Sequence, residues 1–160
     1  MDTWLLDHLL VIAATGITLA LVVLTHYEGL LVLGRLFQRE RSGRRGTPVA
    51  AGGPGRQVML WVFAGLVMLH ALEIVWFGCA YWLLMRVDGT GSIAGTQDPT
   101  VFDAFYLSAM TYSTVGFGDL SPDGPIRWLA GAEALLGLML VACSASFAFM
   151  EMARHWRDDA

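Results

Sequence analysis

The chain has 160 residues, 56% of them hydrophobic and 15% charged, with a formal net charge of −4 and a mean hydropathy of +0.56. An apolar excess gathered into long runs is the composition of membrane spans and not of a soluble core, and no nucleic-acid partner is expected of it. Cys79 and Cys143 both fall inside apolar runs and read as buried small hydrophobes, not as a disulfide or metal framework.

Met1-Asp2 places no basic stretch ahead of the first apolar run, so that run does not read as a signal peptide. Leu9 to Leu24 holds no charge, and apolar character resumes at Gly29. A helix needs about 20 residues to cross the hydrocarbon layer, so a first transmembrane helix is expected over residues 1–38, running through Thr25-His26-Tyr27-Glu28. His26 and Glu28 read as an interfacial polar patch near its cytoplasmic end. Residues 39–57, rich in Gly, Arg and Pro, read as a flexible cytoplasmic linker.

The remaining hydrophobic unit covers 58–151, with a short tail at 152–160. Its second transmembrane helix is expected at 58–86, where Val58 to Met85 runs for 28 residues with His70 and Glu73 as its polar exceptions. The third, at 125–151, carries Arg127 and Glu133. Between them, Val87 to Gln97 is Gly-rich and turn-like. Asp98-Pro99-Thr100 then supplies helix-start residues, with Pro suited to the first turn and Asp or Thr to the cap. The helix begun there, 100–112, is too short to span at 1.5 Å per residue. It should enter the membrane and turn back, and the backbone beyond Tyr112 must face a pore or packed protein.

Charge sets the orientation. Arg35, Arg39, Arg41, Arg44, Arg45 and Arg56 are six of the ten basic residues, set against the single acid Glu40. The positive-inside rule keeps that linker and the tail in the cytoplasm. The N-terminus, with Asp2 and Asp7, is then outside, as is the loop holding Asp88, Asp98, Asp103, Asp119 and Asp123. The protein is expected in the cell membrane as a multi-pass chain surrounded by lipid. No apolar helix carries the regularly spaced arginines of a voltage sensor.

After Tyr112 the chain reads Ser113-Thr114-Val115-Gly116-Phe117-Gly118-Asp119. A dehydrated cation needs oxygen ligands, and a main chain whose successive carbonyls face one way supplies a ladder of them. Gly116 and Gly118 permit the backbone angles this needs, and Val115 and Phe117 would pack behind the strand. The C-terminal end of the preceding helix, partly negative, would favour a cation there. Asp119 and Asp123 at the outer mouth would raise the local cation concentration.

At these residues the chain resembles the potassium channel pore family. The family pattern T-x-x-T-x-G-[YF]-G-[DE] is met by Thr111, Thr114, Gly116, Phe117, Gly118 and Asp119, and the resemblance runs from Val58 to about Met150. It implies an all-α membrane protein with three transmembrane helices, a re-entrant pore helix at 100–112 and a filter at 114–119. In such a filter, potassium is held at Thr114, Val115, Gly116 and Phe117, with Gly118 completing it. It also implies an outer helix at 58–86, an inner helix at 125–151 and a homotetramer, since one filter segment per chain cannot by itself encircle an ion. Two departures stand out. Phe117 replaces the commoner Tyr, and Met110 occupies a position where several members carry a Glu paired with the acid after the filter. The inner helix is rich in small residues, and Gly137 lies where the family often has a hinge, or serves as a packing glycine.

Three ionisable groups lie within the spans. His70 and Glu73 share a helix face, and Glu133 lies about two turns inside the third span. Carboxylates so deep must face protein or water and find partners. They read as satisfied structural groups, or as a proton-sensing cluster behind the filter. A metal site on His70-x-x-Glu73 would need at least two more ligands, with Glu133 the evident one. No nucleophile–base pair, phosphate loop or cofactor motif is present, so no enzyme activity, cofactor or small-molecule substrate other than ions is expected. The competing readings are a weakly selective cation channel and a non-conducting auxiliary or sensor membrane protein.

Overall fold

The computed structural model of the chain describes residues 3–44 and 54–158. Four α-helices dominate: α1 (Thr3–Arg44), α2 (Pro54–Leu84), α3 (Val101–Tyr112) and α4 (Arg127–Asp158). Three of them contain stretches long and apolar enough to cross a membrane, namely Trp4–Leu36, Met59–Leu84 and Gly124–Arg154. Helix α1 runs on to Arg44, six residues past the expected end of the first span, and α2 begins at Pro54. The body of the expected linker, 45–53, and the last two residues of the tail lie outside the described residues.

The packing is that of a membrane bundle. Large apolar side chains point outward along α1 (Leu9, Ile17, Leu24), α2 (Trp61, Val67, Met68) and α4 (Leu135, Leu138, Phe149), which water would penalise and lipid or a neighbouring subunit would not. Inside, Phe77, Tyr81, Leu107, Tyr112, Ile126, Leu129 and Leu140 form one core where α2, α3 and α4 meet, with Val11 and Val22 from α1 joining it. A second cluster, Val62, Leu66 and Ala148 with Leu30, Leu33 and Phe147 against it, closes α1, α2 and α4 at the end remote from α3. Helix α1 sits close against α2. A Cβ at Gly29 would stand 2.5 Å from Leu69 Cδ1, and one at Gly65 would stand 2.5 Å from Leu33 Cδ2, so each glycine receives the leucine opposite, as small residues do where membrane helices touch. Thr15 and Thr18 face inward but return their hydroxyls to the carbonyls of Val11 and Ala14 at 2.8 and 2.9 Å.

The Gly-rich segment expected to be turns contains a short strand. β1 (Ser92–Ala94) pairs antiparallel with β2 (Ser121–Asp123), Ile93 opposite Pro122. This ribbon closes the loop around α3, and the main-chain N–H of Ile126 donates to the Thr90 carbonyl at 3.0 Å. Helix α3 starts where its capping residues dictate. Thr100 is the N-cap and accepts from the Asp103 N–H, while Asp103 accepts from the Thr100 N–H, a reciprocal capping box. Pro99 therefore precedes the cap and does not occupy the first turn. Cys143 departs from expectation: it is exposed on α4, while Cys79 is half-buried, because the small-residue face of α4 is left uncovered within one chain.

Candidate functional site

Helix α3 ends at Tyr112, and the chain leaves it through a tight exit. Ser113 N–H donates to the Ala109 carbonyl, Thr114 N–H to Thr111 and Gly116 N–H to Met110, at 3.2, 3.0 and 3.2 Å. Those bonds use carbonyls at the helix end that otherwise lack partners, and they fasten the start of segment 114–119 to α3. Along that segment φ alternates in sign. Thr114, Gly116 and Gly118 take +58°, +51° and +81°, while Val115 and Phe117 do not take positive values. Thr114 is the one non-glycine residue with positive φ among the described residues, a conformation that costs a β-branched side chain energy and marks a functional constraint. Alternation of this kind turns successive carbonyls toward a common side.

Every residue from Ser113 to Asp119 is exposed in the single chain, including Val115 at 54% and Phe117 at 71%. Among the described residues no element of the same chain covers the back of the segment, so Val115 and Phe117 do not pack against their own chain. Asp119 has a partner that the sequence did not announce: Tyr106 donates its hydroxyl to Asp119 Oδ2 at 2.9 Å. Asp123 lies apart from it, at the end of β2, in a crevice shared with Trp4, Asp7, His8 and Arg127.

The three intramembrane groups do not form one cluster. Glu133 is fully buried between Tyr81 of α2, which donates to its Oε2 at 2.7 Å, and Ser108 of α3, whose Oγ lies 2.6 Å from Oε1. Ser108 Oγ is also 3.0 Å from the Ile74 carbonyl. One hydroxyl proton is shared between these two acceptors, and a proton on Glu133 would let each contact be a full hydrogen bond. Glu133 thus clamps α3 between α2 and α4, separate from His70 and Glu73.

Glu73 is fully buried and receives three donors. His26 Nδ1 lies 2.7 Å from Oε1, His70 Nδ1 lies 2.9 Å from Oε2, and the Tyr112 hydroxyl donates to Oε2. His26 is therefore not an interfacial residue: it is buried, while its neighbours Tyr27 and Glu28 are exposed. The reason is rotational, since the turn of α1 that brings Gly29 onto α2 also turns His26 inward. Sequence reading missed both His26 and Tyr112 here. The signal available was a His well inside the first span, and a single Glu well inside the second.

His26, His70 and Glu73 offer three donor atoms within 4.8 Å of one another, which invites a metal reading. The distances argue otherwise. Ligands 2.0–2.1 Å from a tetrahedral zinc stand about 3.3 Å apart along an edge, whereas the imidazole–carboxylate separations of 2.7 and 2.9 Å are those of direct hydrogen bonds. Both carboxylate oxygens are already engaged by protons.

Gly137, expected as a hinge or a packing residue, lies within uninterrupted helix. A Cβ there would collide with the Tyr112 carbonyl, so the missing side chain lets α4 press directly on the end of α3. Tyr112 is thereby held at its phenol by Glu73 and at its main chain by α4.

The ion channel family profile matches residues 58–154, from the start of the second span to beyond the third. Protein LctB of Geobacillus stearothermophilus is 37% identical over 89 residues, 52% of this chain and 64% of that protein. Two-pore potassium channel 4 of Arabidopsis thaliana is 36% identical over 87 residues, 54% of this chain and 27% of that one. The inward rectifier potassium channel Kirbac3.1 of Paramagnetospirillum magnetotacticum is 36% identical over 66 residues, 40% and 22%. The chain thus spans less than two thirds of the length of these relatives. The matched region holds the re-entrant helix, the strained segment and the two spans around them, which are the parts of a pore and not of an enzyme: the chain belongs to the ion channel family.

Proposed function

We propose that this chain is one of four identical subunits of a potassium-selective channel, conducting K+ passively through a filter at Thr114, Val115, Gly116, Phe117 and Gly118. The observation that carries the reading is the alternation of φ at Thr114, Gly116 and Gly118 in a segment fastened to the pore helix and left uncovered by its own chain. A ladder of carbonyls replaces the hydration shell of an ion only when several copies surround it, and cyclic symmetry supplies them. The exposed Val115 and Phe117 then have a place, against the neighbouring subunit. Two relatives named as potassium channels support the choice of ion.

The pore unit corresponds to 58–151, with α1 as an added first span. The arginine-rich linker and the tail face the cytoplasm and the N-terminus faces outward, by the positive-inside bias. Asp119 and Asp123, repeated fourfold, concentrate cations at the outer entrance.

The test is flux from liposomes holding the purified protein, with K+ and Na+ gradients compared and Gly116→Ala as control. Alanine meets no atom at 116 within 4 Å but must hold a left-handed angle, at about 1 kcal/mol or more in each of four subunits. Potassium flux that exceeds sodium flux and is lost in Gly116→Ala supports the reading. Equal fluxes would make it a weakly selective cation channel, and no flux across pH and voltage an auxiliary or sensor protein. Normal conduction by Gly116→Ala would overturn the filter assignment.

A further inference from the structure

The first helix is additional to the two-span pore unit, yet it contributes a buried polar side chain to the carboxylate that holds the last residue of α3. His26 of α1 donates to Glu73 of α2, and the same carboxylate accepts from Tyr112 of α3. Tyr112 is followed by Ser113 and then Thr114, the residue in strained backbone. The whole path from the first helix to that strained residue is three side chains and two peptide bonds. Its members are almost without solvent contact: Glu73 at 0%, Tyr112 at 2% and His26 at 5%.

Proton accounting gives the path a direction. The Tyr112 hydroxyl has one proton and spends it on Glu73 Oε2, so His70 Nδ1, which is 2.9 Å from that oxygen and 2.8 Å from the phenol oxygen, must also be a donor. Oε2 thus takes the Tyr112 proton, with the His70 N–H shared between it and the phenol oxygen, and Oε1 faces His26 alone. Nε2 of His26 is buried with no partner. Of the two ring nitrogens, Nδ1 alone makes a contact, and it makes that contact with Glu73. Without His26, the buried Oε1 would lose the side chain that contacts it. A carboxylate with one free oxygen can rotate, and the Tyr112 phenol would follow it. The carbonyl end of Tyr112 cannot absorb that motion, since Gly137 of α4 is pressed against it. Displacement would pass to Ser113 and Thr114.

We propose that His26 is a positioning residue for the filter: by holding Glu73 it fixes Tyr112, and so makes the first helix a working part of the pore. The inference rests on the reading of 114–119 as a filter. It predicts that the chemistry of one side chain on α1, a helix outside the two-span pore unit, sets how well the filter discriminates.

The experiment compares His26→Leu, His26→Asn, Tyr112→Phe and, as control, Glu28→Gln, an exposed neighbour on α1. Each full-length chain is cross-linked in detergent to score assembly, then reconstituted, and K+ and Na+ flux per assembled channel is measured. Asparagine places its amide nitrogen close to where Nδ1 stands, so it is the conservative replacement. Expected are a K+:Na+ flux ratio about fivefold or more below wild type in His26→Leu, the same direction in Tyr112→Phe, and recovery to within about twofold in His26→Asn. Glu28→Gln should match wild type. A merely structural role would lower the amount of assembled channel and leave the ratio alone, and that result overturns the proposal. So does His26→Asn behaving like His26→Leu. Should His26→Leu not assemble, Tyr112→Phe supplies the comparison; failure of both to assemble makes the network a folding element and also overturns it. A wild type without potassium flux removes the channel reading and this inference together, whereas a selective wild type with an equally selective His26→Leu removes this inference alone.

Discussion

Tyr106 and Asp119, thirteen residues apart, are joined by a hydrogen bond of 2.9 Å from the phenol to Oδ2, so that α3 holds the residue immediately after the proposed filter. If 114–119 is the filter, this bond would stand in for the two braces that the family resemblance implies and the sequence lacks, a hydroxyl at Phe117 and a carboxyl at Met110. The hydrogen bond to Asp119 raises the Tyr106 phenol above its ordinary value, so the donor persists through neutral pH. Tyr106→Phe is expected to leave assembly intact and to shorten conduction, read as faster decay of potassium flux after a gradient is imposed. Unchanged decay would mean that Asp119 is held by solvent alone.

Glu133 gives a sharper case, since the geometry around it fits a protonated carboxyl. In Glu133→Gln the amide nitrogen can donate to Ser108, Ser108 can donate to the Ile74 carbonyl, and the amide oxygen can accept from Tyr81. Every bond is kept, and the variant should unfold within about 0.5 kcal/mol of wild type. Glu133→Leu instead strands the buried Tyr81 hydroxyl, an expected loss of about 1–3 kcal/mol. Thermal unfolding of the assembled protein in detergent separates the two. A Gln variant as unstable as the Leu variant would show that Glu133 works as an anion.

The spans, the short re-entrant helix and the strained segment are legible in the sequence because their signals are local: apolar run length, Thr100 with Asp103, and glycines at 116 and 118. The polar interior is legible only in part. His70 and Glu73 share a turn of one helix, and their pairing follows from spacing. His26 with Glu73 and Tyr81 with Glu133, 47 and 52 residues apart, depend on how each helix is rotated about its axis. That rotation is fixed by contacts such as Gly29 on Leu69 and Gly137 on Tyr112, which no periodicity reports when both faces of a helix are apolar. Depth alone groups Glu133 with His70, and depth does not choose a neighbour.

Gly137 separates two roles by one substitution. As a packing glycine it lets α4 meet the Tyr112 carbonyl, and a methyl group there must force the helices apart. Gly137→Ala is then expected to cost about 1–3 kcal/mol of stability per subunit, as overpacking does, and to reduce the flux ratio by disturbing Tyr112. As a hinge, the same variant would keep its unfolding temperature and lose flux only through fewer open channels. Thermal unfolding together with single-channel open probability distinguishes the outcomes.

The capping box of the pore helix makes a prediction about acid. The Thr100 main-chain N–H, and after it the Thr100 hydroxyl, hold the Asp103 carboxyl below its ordinary value of 3.8. A carboxylate whose value is depressed in the folded state contributes stability that is fully present above the ordinary value. That contribution is lost as pH falls through the depressed one. The first turn of α3 should therefore stay intact at pH 5 and above and begin to fray only below about pH 4. Asp103→Asn, which cannot reproduce the charge at the helix N-terminus, should fray equally at both pH values. Amide hydrogen exchange at Asp103 and Ala104, compared between pH 5 and pH 3 after correction for the intrinsic rate, measures this directly. Protection that falls in wild type and is constant in the Asn variant is the expected result; equal pH dependence in both would assign the change to some other carboxylate.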